Sequence, residues 1–155
     1  MTIVTMRANL TDSDIRTLIK GPTEDDRAQA AHKICRCIED AELSPEERAH
    51  AESIMAIMAQ DAAVLVRRAL SVALKNSPKL PRDIANKLAQ DVETIALPII
   101  LNSPVLTDSD LVEIVRSCPP SKQVAVASRE RLSVQVTGAI AEFAVSAAVE
   151  PVLAN

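Results

Sequence analysis

Glycine and aromatic residues are nearly missing from this chain of 155 residues, which has two glycines, one phenylalanine and neither tryptophan nor tyrosine. With only Gly21 and Gly138 to place, no glycine-rich phosphate loop, dinucleotide fingerprint or Gly-x-Ser-x-Gly elbow can be written. Phe143 alone makes no stacking platform for nucleic-acid bases. Apolar runs fall far short of the ~20 residues that cross a bilayer, so no membrane role is expected. Cys35, Cys37 and Cys118 are odd in number, and no signal-peptide pattern accompanies them, which points to a reduced, cytoplasmic protein. The composition is otherwise globular, 48% hydrophobic and 25% charged, and the length suits one domain with its own core.

Net charge is −4, which gives a general nucleic-acid role no whole-chain support. The charge is uneven, however. Residues 1–61 carry −5, residues 62–90 carry 6 basic groups against 1 acidic, and residues 91–155 carry −4. The central basic segment is the chain's one electrostatic anomaly.

Start and stop signals divide the chain into short helices with almost no strand pattern. Thr11 caps a helix that Gly21-Pro22 ends, and Thr23 opens another with the apolar line Ala31, Ile34, Cys35 and Ile38. Ser44-Pro45-Glu46-Glu47 is a capping box with proline at the first helical position, followed by Ala51, Ile54, Met55 and Met58. A helix from about Ala62 to Lys75 is apolar nearly all round, which predicts burial on more than one side. Further helices begin at Pro81, at Asp91 (with Pro98 as a kink or early end), at Thr107, at Ser121 running to about Arg131, and at Ser133 running to Val149.

Two echoes run through this series. Asn76-Ser77-Pro78-Lys79-Leu80 recurs as Asn102-Ser103-Pro104-Val105-Leu106, offset by 26 residues, and Ala59-Gln60-Asp61 recurs as Ala89-Gln90-Asp91, offset by 30. Leu10-Thr11-Asp12-Ser13-Asp14 also matches Leu106-Thr107-Asp108-Ser109-Asp110. Helix pairs repeating near this period bury their faces by stacking on their neighbours. A non-repetitive helical bundle is the competing account, because polar caps recur by chemistry alone. Two different echoes in the same order favour an all-α, HEAT/armadillo-like α-solenoid of about four stacked helix pairs. Residues 1–155 are then a single helical-repeat domain, with an N-terminal helix in 1–21, helix pairs in 22–60, 61–90 and 91–118, and a C-terminal pair in 120–150.

The order Val66-Arg67-Arg68-Ala69-Leu70, Leu80-Pro81-Arg82-Asp83-Ile84-Ala85, Leu88-Ala89-Gln90-Asp91, Asn102-Ser103-Pro104-Val105-Leu106-Thr107-Asp108-Ser109-Asp110-Leu111 and Ala125-Val126-Ala127-Ser128-Arg129 resembles the bacterial Domain of Unknown Function 2336 family. The resemblance spans roughly Arg27 to Asn155. It implies HEAT-like helical repeats and supplies no activity. Members of that family usually continue further. The apolar tail Val149, Val152 and Leu153 ends without a polar cap, which suggests either a truncated array or an end covered by another subunit, the second of which would make a homo-oligomer.

Candidate sites are few. Cys35 and Cys37 lie about 160° apart on one helix and cannot share a zinc with His32, and no metal or cofactor is expected. Asp12, Asp14, Glu24, Glu46, Asp83, Asp91, Asp108 and Asp110 all fall in first turns, where capping explains them, so no catalytic residue is assigned. Ser128-Arg129-Glu130-Arg131 reads as a charged helix face. Arg67, Arg68, Lys75 and Lys79 are the partner-binding candidates. A solvated face pairing with Asp61, Asp83 or Asp91 is the plainer reading of the same cations. The functional expectation is a non-catalytic scaffold or adaptor for protein partners. The alternative is a binder of an anionic ligand or DNA backbone through the central patch.

Overall fold

Three polar residues start helices here just as their sequence context implies. Thr23 Oγ1 accepts from Asp26 N–H, and both Ser44 and Thr107 close reciprocal capping boxes with Glu47 and Asp110. The computed structural model describes residues 12–143, and among them there is no strand. In chain order the helices are α1 (Asp12–Lys20), α2 (Glu24–Asp40), α3 (Pro45–Ala59), α4 (Val64–Leu74), α5 (Arg82–Ala89), α6 (Glu93–Asn102), α7 (Asp108–Ser117) and α8 (Pro120–Ala127). Residues 134–143 are also helical and are labelled α9. The Thr11 cap, the echo at Leu10, the run toward Val149 and the tail Val149, Val152 and Leu153 lie outside the described residues. The fold is all-α, as the sequence implies.

Helix packing follows a regular order. α2 lies against α4, α4 against α6, and α6 against α8, while α3 lies against α5; α3, α5 and α7 also meet α4, α6 and α8 respectively. Hydrogen bonds fix the directions. Arg27 near the start of α2 reaches Asp61 just before α4, and Lys79 just after α4 reaches the last carbonyls of α2, so α2 and α4 run parallel. Lys122 in α8 meets Asp91 before α6, and Arg129 after α8 meets Ile100 in α6, so those helices are parallel too. On the other side Arg82 at the start of α5 meets Asp110 at the start of α7.

The core runs between these helices. Ala31, Ile34, Cys35 and Ile38 of α2, Val66, Leu70 and Leu74 of α4, and Ile95, Ile99 and Ile100 of α6 are fully buried. Each large aliphatic side chain among them contributes about 1.5–3 kcal/mol. The two Asn-Ser-Pro turns are built alike: Ser77 and Ser103 are buried, and their hydroxyls accept from Lys79 and Val105 N–H. Gln60 and Gln90 end α3 and α5 with nearly the same backbone angles, φ −102 ψ 0 and φ −92 ψ −3.

Three boundaries and surfaces differ from the sequence pattern. α4 touches three helices, yet Val64, Leu65 and Val72 remain about 40% exposed, so its apolar circumference is not all buried. α6 begins at Glu93 and passes through Pro98 unbroken to Asn102. The ring removes the donor for the carbonyl of Thr94 and crowds that carbonyl, but Thr94 is exposed, so water can take the lost bond. α8 stops at Ala127, short of Arg131. Arg129 turns back instead, donating to Ile100 O and Ser103 O at the end of α6.

Candidate interaction surface

Along the edge where α2, α4, α6 and α8 begin, charged side chains link each helix to the next. Arg27 binds Asp61 through two nitrogens, both at 3.2 Å. Arg67 binds Asp91 at 2.7 and 3.1 Å and also donates to Asp61 O at 2.9 Å. Lys122, only 5% exposed, donates to Ala89 O and Asp91 O at 2.9 and 2.7 Å. The echoed Ala-Gln-Asp turns thus supply the acceptors, and neighbouring helices supply the cations. Bidentate guanidinium–carboxylate geometry makes the arginine pairs both strong and specific in register.

The pairing governs the carboxyl groups. Partial burial pushes the Asp61 and Asp91 carboxyls up, but hydrogen bonds from Arg27 and Arg67 and from backbone N–H groups outweigh it and hold both below the ordinary value. Arg82 holds Asp110 far below that value, helped by Thr107 and Asn86. All three are therefore fixed as anions, the opposite of what a general acid near neutral pH requires.

The four sequence candidates separate. Arg67 belongs to the edge just described and is 17% exposed as a side chain. Lys79 Nζ caps the end of α2, donating to Ile38 O, Glu39 O and Ala41 O at 2.9, 2.7 and 2.6 Å. Arg68 is exposed and Lys75 half-buried, and neither has an ion pair or hydrogen bond among the described residues. The structure does not gather all four into one free patch. The plainer reading, in which these cations pair with Asp61, Asp83 or Asp91, holds for Arg67 on Asp91, whereas sequence reasoning missed Arg27 and Lys122 as the other cations of the set.

The open sides of α2 and α4 form a groove of about 640 Å³. α2 contributes Ala28, His32, Lys33, Arg36 and Cys37, with Asp25 and Asp40 at its two ends, and α4 contributes Leu65. Helical spacing explains the set: positions 25, 28, 29, 32, 36 and 40 of α2 share one face, opposite the buried line Ala31, Ile34, Cys35 and Ile38. Lys33 is paired with Asp14 at 3.1 Å, whereas Arg36 is exposed and has no ion pair among the described residues. Cys35 is fully buried, which pushes its thiol up to about 12. Among the described residues no group of three or more His, Cys, Asp or Glu side chains could hold a metal ion, and no helix is long and apolar enough to cross a membrane.

Residues 95–155 match the model of a family described as an uncharacterised protein conserved in bacteria, DUF2336. The resemblance drawn from the residues is borne out over that stretch, which begins in α6 rather than near Arg27. No curated protein and no solved structure matches the chain.

Proposed function

We propose that the chain is a short HEAT/armadillo-like α-solenoid of about four helix pairs that works as a non-catalytic scaffold or adaptor, docking a protein partner on the open sides of α2 and α4. The observation that carries the reading is the groove there, where Leu65 stays exposed on a helix otherwise rich in buried aliphatics, and which Arg36, with no ion pair among the described residues, also lines. The solenoid assignment is supported by the order of packing, in which α2, α4, α6 and α8 each meet the next of the series, and α2 runs parallel to α4 as α6 does to α8. It is also supported by the matched turns at Ser77 and Ser103 and at Gln60 and Gln90. Carboxylates held as anions by arginine, none of them lining the groove, favour a binding role over acid–base catalysis. Three free thiols support a reducing, cytoplasmic setting. The alternative, an anionic ligand or DNA backbone on the central patch, retains only Arg68 and Lys75 of its four cations.

Site-specific photo-cross-linking in the native cells tests the proposal. A photo-reactive residue in place of Leu65 is expected to give a discrete protein adduct, and one in place of Ile57, exposed on α3, to give none. Equal labelling from both positions, or none from Leu65, contradicts the assignment of the docking side.

A further inference from the structure

The groove along the open side of α2, which α4 meets at Leu65, is specific about its occupant. Resting on the docking role proposed above, we infer that it takes an acidic amphipathic helix of a partner protein, whose central carboxylates meet Arg36 and Arg68.

Length and direction come first. Asp25 and Asp40 close the groove at opposite ends of α2, 15 residues apart, which at the rise of an α-helix is about 22 Å, or four turns. Eight of the nine lining residues stand on α2 and Leu65 alone on α4, so a partner helix laid along α2 packs on its ridges and meets α4 at Leu65. Ala28 and Leu65 give it an apolar lining into which side chains at i, i+3 or i+4, and i+7 can insert.

Charge then selects the partner. Arg36 lines the groove, and Arg68 stands one helical turn beyond Leu65 on the same side of α4; both are exposed, and neither has an ion pair among the described residues. They are the natural bidentate partners of carboxylates. The rest of the chain gives this local charge its contrast, since the whole carries −4. Asp25 and Asp40 make the groove's ends negative, so the matching helix is acidic in its middle turns and not at its tips. The same two carboxylates count against a phosphate backbone, which needs cations along its whole track.

A display library of helical peptides about 16 residues long, with aliphatics fixed at the apolar spacing and all other positions random, is selected on the full chain. Asp and Glu are expected to be enriched in the central turns. The best peptide is expected to lose about tenfold in affinity to Arg36→Gln/Arg68→Gln, and more to the double Glu variant. Changing its central acids to Lys is expected to restore binding to that Glu variant. Neither arginine has an ion pair to lose among the described residues, and circular dichroism with urea midpoints checks that the variants fold. Neutral or basic winners, no enrichment, indifference to charge reversal, or duplex DNA bound through the same two arginines would each overturn the inference. A protein adduct from position 65 together with non-acidic winners would overturn this inference alone and leave the docking role standing.

Discussion

Arg67 and Arg68 are adjacent in sequence and belong to two different regions. On the edge where α2, α4, α6 and α8 begin, Arg27, Arg67 and Lys122 each have a carboxylate or carbonyls of a neighbouring element as partners. On the open face of α2 and α4, Arg36 and Arg68 have none among the described residues, and Leu65 and Val72 stay partly exposed beside them. One step along a helix turns a side chain by about 100°, and that step separates a group that fixes helix register from one open to a ligand. Charge density along the chain therefore says little about binding until the internal acceptors have been assigned.

Acid should disturb the paired carboxylates most, because it acts together on Asp61 and Asp91 of the first region and on Asp110 at the start of α7. Asp61, Asp91 and Asp110 are held below the ordinary value of 3.8 by their arginine partners, so their stabilisation is complete above about pH 5. It is lost as pH falls through 3.8 toward the folded values. Urea midpoints measured from pH 7 down to pH 2.5 should drop steeply below about pH 4, and less steeply in Asp110→Asn.

Removing one link should do less. Asp91→Ala leaves Arg67 with only its bonds to Asp61 O and Ala62 O, and the expected loss by urea denaturation is about 2–3 kcal/mol, below the 3–5 kcal/mol of a fully buried pair because this one borders solvent and keeps those bonds. Lys122→Met keeps the length of the side chain but leaves Ala89 O and Asp91 O without their donor, and about 1–2 kcal/mol should be lost in the same measurement. Smaller still is a kinetic contrast between neighbouring thiols. Cys37, half-buried at the groove, should react with a thiol reagent at pH 8 well before Cys35, whose burial disfavours the thiolate.

Helix starts were legible because they are local chemistry: Thr23, Ser44 and Thr107 cap through side chains three residues from their donor N–H groups. The buried lines of α2 and α3 were legible from period alone. The open face of α4 was not. Val64, Leu65 and Val72 read as core, because periodicity reports which residues are apolar and not how many neighbours surround the helix. The early end of α8 was equally hidden, and so was the turn that follows it, in which Arg129 reaches carbonyls 26 and 29 residues away. The groove needed both α2 and α4 in place before Arg36, which no pattern singled out, could line it together with Leu65.

The most direct test is a matched pair, Arg67→Gln and Arg68→Gln, compared by urea denaturation at pH 7. The account predicts a loss of about 2 kcal/mol for the first, which forfeits its bonds to Asp91 and Asp61 O, and a change within about 0.5 kcal/mol for the second. Equal losses, or a larger one at Arg68, would contradict the division between an internally paired edge and an open face.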